Sequence, residues 1–363
     1  MLIKHADKVI FFTVFILIVL GMVMLVSASS ELAKLRFDDP YFFVRRQLTY
    51  GLSAGIVGFL ICLLVPYKFF KKISFSLLVV NIILLAAVFS PLGEQFGAAS
   101  RWLNIGLFTF QPSEILKFTF IVYLAAWLTS KTKDRKGNFF ESVLPFLIIS
   151  GFITFLLIKQ PSTSAVIILM SAALILYFVH GVKISYILSL VFIGFFALVL
   201  IISFSPYRLQ RIVTFLNPGV DLQASRFHIN QSLIAIGSGG FFGVGYGNSI
   251  SKIRFLPEPI GDSIFAIIAE EFGFLGSFLF IFLFFILISA GFFGSKKIRN
   301  PFGKLILIGF SSLIGIQAFV HIAAISGLIP LTGIPLPFIS YGGSALATFM
   351  SMSGLMINVL KNA

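Results

Sequence analysis

The sequence predicts an all-α polytopic membrane protein of about ten transmembrane helices, with a long extracytoplasmic loop between spans 7 and 8. Three observations predict it. Of 363 residues, 58% are hydrophobic and only 11% are charged, against roughly 25% charged in a soluble domain. The apolar residues come in blocks of about 20, the length a helix needs to cross a hydrocarbon core of about 30 Å. Strict alternation with period 2, the mark of a membrane barrel, is absent. In lipid every backbone polar group must be satisfied within its own segment, so these blocks are helices. The mean hydropathy of +1.04 and the 46 Phe exclude a soluble enzyme, a disordered chain and a disulfide-stapled secreted domain.

The spans follow in order at roughly 9–28, 48–65, 73–90, 113–129, 142–158, 162–180, 184–204, 263–292, 304–326 and 341–360. The first follows a short basic lead, Lys4 and Lys8, without a small-residue cleavage site, so it reads as an uncleaved span. Residues 1–363 read as a single integral membrane domain. Cys62, the one cysteine, has no partner for an intrachain disulfide and reads as packing. An even number of spans puts both termini on one side. Lys68, Lys71 and Lys72, Lys131 to Lys136, Lys183, and Lys296 to Lys304 crowd short loops on that side, which makes it the cytoplasm. This topology accounts for the net charge of +14, and a nucleic-acid partner is rejected. Two long segments then lie outside. One is 91–112. The other, 205–262, is Gly-rich yet carries Phe, Ile and Leu throughout, and reads as an ordered cap with short helices.

Candidate chemistry sits where polar residues meet lipid. Gln111-Pro112-Ser113 reads as a helix start, with Glu114 and Lys117 on one helical face. They form either a charged pair lining a cavity or a structural ion pair. The run Gly237 to Gly247 could cradle phosphate with backbone N–H groups or be a turn-rich loop. Asp262 ends the cap just before an apolar run. Its carboxylate is either a partly desolvated general base or a helix N-cap, with Lys252 and Arg254 nearby. Glu270 and Glu271, two turns further on, are a cation or proton site or hydrogen-bonded structure. Three prolines and four glycines between Gly327 and Ser344 exclude a continuous helix, so this segment shapes a pocket wall. His321 reads as a satisfied core histidine. No zinc motif, Walker motif or nucleophile elbow is present.

These blocks together resemble the SEDS family (shape, elongation, division and sporulation proteins) of the FtsW/RodA/SpoVE type. The blocks are Arg101-Trp102 with Gln111 to Lys117, Lys159-Gln160-Pro161, Arg211 to Asp221 with Asn230 to Gly240, Gly245 to Gly276, and Gly327 to Ser344. Gly247-Asn248-Ser249 followed by Lys252 looks more like the division branch, FtsW, than the elongation branch, RodA. The resemblance implies a peptidoglycan glycosyltransferase of the bacterial cytoplasmic (inner) membrane. It would polymerise lipid II, the undecaprenyl-pyrophosphate-linked disaccharide pentapeptide, on the outer face in cell division or elongation. The implied partners are a class B penicillin-binding protein, which is a transpeptidase, and other divisome or elongasome membrane proteins.

Asp262 matches the family's catalytic aspartate, and the expected displacement is single and inverting. A retaining reaction would call for a second, nucleophilic carboxylate. The substrate-binding residues implied are Arg101, Glu114, Lys117, Arg211, Gln231, Lys252, Glu258 and Ser340. No cofactor is identified. A divalent cation, Mg²⁺ or Mn²⁺, would shield the pyrophosphate, but no ligand cluster is legible. The chain departs from the family pattern at Ser162 (often Asp), at Gly261 and Ser263 (Thr and Phe around the same Asp), near His228 (Gln) and near His321 (Asn). The alternatives are a lipid II flippase, for which ten spans and broken helices speak, and a non-enzymatic scaffold for the transpeptidase.

Overall fold

The computed structural model describes residues 5–96, 99–104, 106, 109–130, 139–216 and 223–362. The expectations for Lys4, for the cations of 131–136 and for 217–221 lie outside the described residues, as does the side chain of Arg254. Helices α1 (Ala6–Phe37), α2 (Phe42–Leu64) and α3 (Tyr67–Ala87) come first. α4 (Pro112–Leu128), α5 (Phe139–Lys159), α6 (Thr163–His180) and α7 (Ile184–Ser203) follow a short sheet. The cap contributes α8 (Pro206–Leu216), α9 (Gln223–Ser238) and the single turn α10 (Ser251–Arg254). α11 (Ile264–Ser295), α12 (Pro301–Ile325) and α13 (Gly343–Asn362) complete the fold. Among the described residues nine helices are long and apolar enough to cross a membrane. The fourth expected span is α4, a helix of 17 residues buried along most of its length.

Local chemistry sets the ends. Pro112 and Pro301 occupy first-turn positions, where a missing N–H leaves nothing unsatisfied. The Asn300 side chain accepts from the Phe302 N–H at 3.0 Å, a standard cap. Gly181, at φ 84°, closes α6 in the left-handed conformation.

Without a hydrophobic drive between helices in lipid, association rests on close backbone approach at small residues. A side chain at Gly354 of α13 would meet the Phe59 carbonyl of α2 at 2.4 Å. One at Gly291 of α11 would meet Ser311 of α12 at 1.8 Å. One at Gly21 of α1 would meet the Phe338 carbonyl of the irregular 326–342 segment at 2.5 Å. That segment is non-helical, as its prolines require.

Three features differ from the sequence reading. The 91–112 segment holds an antiparallel sheet, β1 (Gly93–Phe96), β2 (Ala99–Asn104) and β3 (Thr109–Phe110), in the order β1-β2-β3. Gly93 pairs with Leu103 and Leu103 with Phe110. α11 is broken at Gly273, which has φ 65° and ψ −160°. The cap's Gly-rich run fills the break. Val244 and Gly245 donate backbone N–H bonds to the Glu270 and Glu271 carbonyls at 3.0 Å each. Phe274 and Leu275 donate to the Gly240 and Phe241 carbonyls at 2.9 and 3.2 Å. A Cβ at Gly243 would stand 2.2 Å from the Glu271 carbonyl oxygen. Gly239 and Gly243 therefore serve close packing against α11, and the Val244 and Gly245 N–H groups are engaged by that helix rather than free to cradle a phosphate.

Candidate active site

Asp262 lies in the turn that leads from the cap into α11. The Glu258 carbonyl accepts from the Gly261 and Ser263 N–H groups at 3.1 and 3.2 Å. Glu258 itself is held at φ 47°, a conformation uncommon for a residue with a side chain and enriched at functional sites. The N-cap of α11 is Ser263, so the capping alternative for Asp262 falls away. The irregular segment grips the turn from the other side. Ser340 donates its hydroxyl to the Gly261 carbonyl at 2.8 Å and accepts from the Leu336 N–H at 2.8 Å. The Tyr341 N–H reaches the Ile260 carbonyl at 2.9 Å. Ser340, expected to bind substrate, thus positions the turn.

α9 adds a third support. The Ser263 hydroxyl donates to the Pro257 carbonyl at 2.6 Å. It therefore accepts from His228 Nε2, 2.6 Å away, and that nitrogen carries the proton. Gly333, at φ +64°, comes so close that a Cβ there would sit 3.2 Å from Asp262 Oδ2.

Burial, and secondarily the Glu258 charge, push the Asp262 carboxyl up to about 6, although the Arg211 and Arg101 charges pull the other way. A carboxyl tuned to that range is suited to general base work near neutral pH. Burial, with help from the Arg211 charge, also lowers His228. Both guanidiniums are oriented by main-chain carbonyls. Arg101 of β2 donates to Gln160 and Pro161 at 2.9 and 2.5 Å. Arg211 of α8 donates to Leu331 at 3.1 Å. A small pocket opens beside the carboxylate, lined by Asp262, His321, Ala324, Ile325 and Leu331 to Ile334. His321 is buried there, with Nδ1 2.6 Å from the Ile334 carbonyl.

A second polar centre lies inside the bundle. Lys117 Nζ stands 2.7 Å from Glu114 Oε1 and 2.8 Å from Gln317 Oε1, and the pair is buried. Gln317 in turn donates to the Pro335 carbonyl at 2.8 Å, which ties this centre to the segment that holds Asp262. Among the described residues no cluster of three His, Cys, Asp or Glu is grouped to hold a metal.

The model of the FtsW/RodA/SpoVE family, described as cell cycle protein, matches residues 7–363. The chain belongs to this family. Its curated relatives include stage V sporulation protein E of Bacillus subtilis, 36% identical over 98% of this chain and 97% of that one. They also include the probable peptidoglycan glycosyltransferase FtsW of Saccharophagus degradans, 37% identical over 98% and 92%. RodA of Thermus thermophilus has the same fold, with a TM-score of 0.72 at 24% identity over 97% and 96% of the two chains. So does a chain from a peptidoglycan synthase complex that coordinates polymerization and crosslinking, with a TM-score of 0.78 at 23% identity over 97% of each.

Set in the family frame, the expected site residues divide. Asp262, Glu258, Arg101, Arg211 and Ser340 come together around one turn. Gln231 is half-buried on α9, one turn beyond His228. Lys252 lies elsewhere. Its Nζ is buried 2.7 Å from Glu271 Oε1 and 2.8 Å from Ser27 Oγ, so it neutralises a carboxylate beside the helix break. Glu270 accepts from Ser249 at 2.6 Å and from the Ile250 N–H at 3.1 Å. Both carboxylates are therefore held within hydrogen-bonded structure. Two departures from the family pattern, His228 and Ser263, are partners in one hydrogen bond. Sequence reading treated them separately, because 35 residues divide them. Gln317 carries no legible signal, since it acts through a neighbour 200 residues away, whereas Gly333 is legible as one of the four glycines of the pocket wall.

Proposed function

We propose that this chain polymerises lipid II into glycan strands on the outer face of the cytoplasmic membrane, with Asp262 as general base. The relatives named as peptidoglycan glycosyltransferases support the activity. The observation that carries the mechanism is a partly buried carboxylate, raised to about 6, within the field of two guanidiniums. The acceptor sugar hydroxyl attacks the anomeric carbon of the donor. Its proton passes to Asp262, the bond from that carbon to the pyrophosphate breaks, and the lipid pyrophosphate leaves with the electron pair. Arg101 and Arg211 offset the charge that builds on the leaving group, where preorganised donors contribute most. One displacement inverts the centre. A class B penicillin-binding protein would then cross-link the strand.

The flippase reading predicts a helix break that lines a cavity at mid-membrane. The break in α11 is instead filled by the cap's own backbone, which favours the polymerase. The test is strand formation from labelled lipid II by the purified protein with its transpeptidase, beside Asp262→Asn. Strands from the wild type and a loss of at least 100-fold in a folded mutant are expected. Equal rates would remove Asp262 as the base. Lipid II crossing vesicle membranes without polymer would replace the proposal with transport.

A further inference from the structure

His321 shares the Asp262 pocket and is 2% exposed. Its Nδ1 faces the Ile334 carbonyl at 2.6 Å. A carbonyl oxygen only accepts, so Nδ1 holds a proton. Nε2 is buried and has no hydrogen-bond partner among the described residues. A doubly protonated ring would bury both a charge and an N–H with no acceptor, which is costly. The stable form is the neutral ring with Nε2 as a bare lone pair. Buried polar atoms without partners are rare and call for an explanation. The pocket offers one.

Resting on the polymerase reading above, we propose that Nε2 of His321 accepts a hydrogen bond from a hydroxyl or amide N–H of the acceptor sugar, next to the hydroxyl that Asp262 deprotonates. The pocket's side chains provide a carboxylate and an imidazole lone pair, both acceptors, and the Thr332 hydroxyl, among Ala324, Ile325, Leu331 and Ile334. A pyrophosphate carries only acceptors and would be repelled there. It belongs with the guanidiniums of Arg101 and Arg211. A sugar edge presents adjacent donors, which match that pair of acceptors. The bond to Ile334, set by the left-handed turn at Gly333, fixes the ring so that the lone pair is held ready.

Two variants separate this role from a structural one. The amide of His321→Asn lies at the level of Nδ1, so it keeps the Ile334 bond but puts no acceptor where Nε2 stood. The amide of His321→Gln reaches the Nε2 position and gives up the Ile334 bond. With monodisperse, equally stable proteins, the Asn variant is expected to raise the KM for lipid II about tenfold, with kcat at saturation within about twofold. The Gln variant restores most of the wild-type KM. Acceptor analogues lacking one neighbouring hydroxyl or the N-acetyl N–H identify the donor: the one whose loss costs the Asn variant nothing further is the partner. Wild-type behaviour of Asn with an impaired Gln variant would make the Ile334 bond the whole role and overturn the proposal. So would wild-type kinetics in both, or coupling to no analogue. A wild type that makes no strands at all would bring down the polymerase reading first and this inference with it.

Discussion

At the scale of the residue, Asp262 is expected to leave two signatures of its environment. As a base it must be ionised, so kcat/KM should fall on the acid side with a midpoint near pH 6, the value its burial and Glu258 impose. Glu258→Gln removes one of the two raising influences and should move that limb to lower pH. An unmoved limb would deny Glu258 its electrostatic part. The second signature is in stability. A carboxyl raised above its unfolded value binds its proton more tightly in the folded state, so stability falls as pH rises from about 4 to about 6. Above that range the cost of ionisation is fully present. Asp262→Asn should then be more stable than wild type at pH 7.5, by at most a few kcal/mol, and melt higher, while being inactive. A mutant less stable than wild type at that pH would contradict the raised value. The base was legible because a lone carboxylate at a membrane boundary is costly, and the family resemblance sharpened it. His228, Gln317 and the free nitrogen of His321 were not legible. Their meaning depends on partners 13 to 200 residues away.

At the scale of the element, the spans were legible and their irregularities were not. Lipid demands long apolar runs, so hydropathy marks where helices cross. It does not register a break inside an apolar run, and Gly273 looks like any other small residue in a membrane helix. Short strands such as Gly93–Phe96 and Ala99–Asn104 carry too few residues to show a period. The break is secured by more than backbone. Lys252 and Ser27 both bond Glu271 Oε1, at 2.7 and 2.5 Å, which joins α1, the cap and α11. Removing one partner of a buried pair leaves an uncompensated charge and costs about 3–5 kcal/mol, whereas replacing both by apolar groups is often nearly neutral. Lys252→Met should therefore lower the melting temperature in detergent by several degrees. Lys252→Met combined with Glu271→Leu should recover most of the loss. Full stability in the single variant would show that the pair carries nothing.

At the scale of the whole molecule, the cations of the short loops and the candidate site stand at opposite ends. At one end Tyr67 and Phe302 stack with centroids 6.3 Å apart, and Lys71 lies 5.8 Å from the Phe302 ring and 3.3 Å from the Thr129 carbonyl. Asn358 near the C-terminus reaches the Val65 carbonyl at 2.6 Å. Gly294 and Ala6 meet there too. Lys68, Lys72, Lys296, Lys297, Arg299 and Lys304 belong to this end. At the other end stand Asp262, Arg101, Arg211 and the pocket. Cations in short loops mark the cytoplasmic side, so the carboxylate should face outward, where a lipid-linked substrate would be polymerised. Because Cys62 is the one cysteine and is buried, Cys62→Ala gives a silent background for labelling. On it Tyr41→Cys, 56% exposed between α1 and α2, should react with a membrane-impermeant maleimide in intact spheroplasts. Lys297→Cys should react only after the membrane is opened. The reverse pattern would put Asp262 in the cytoplasm and end the case for a polymerase working on the outer face.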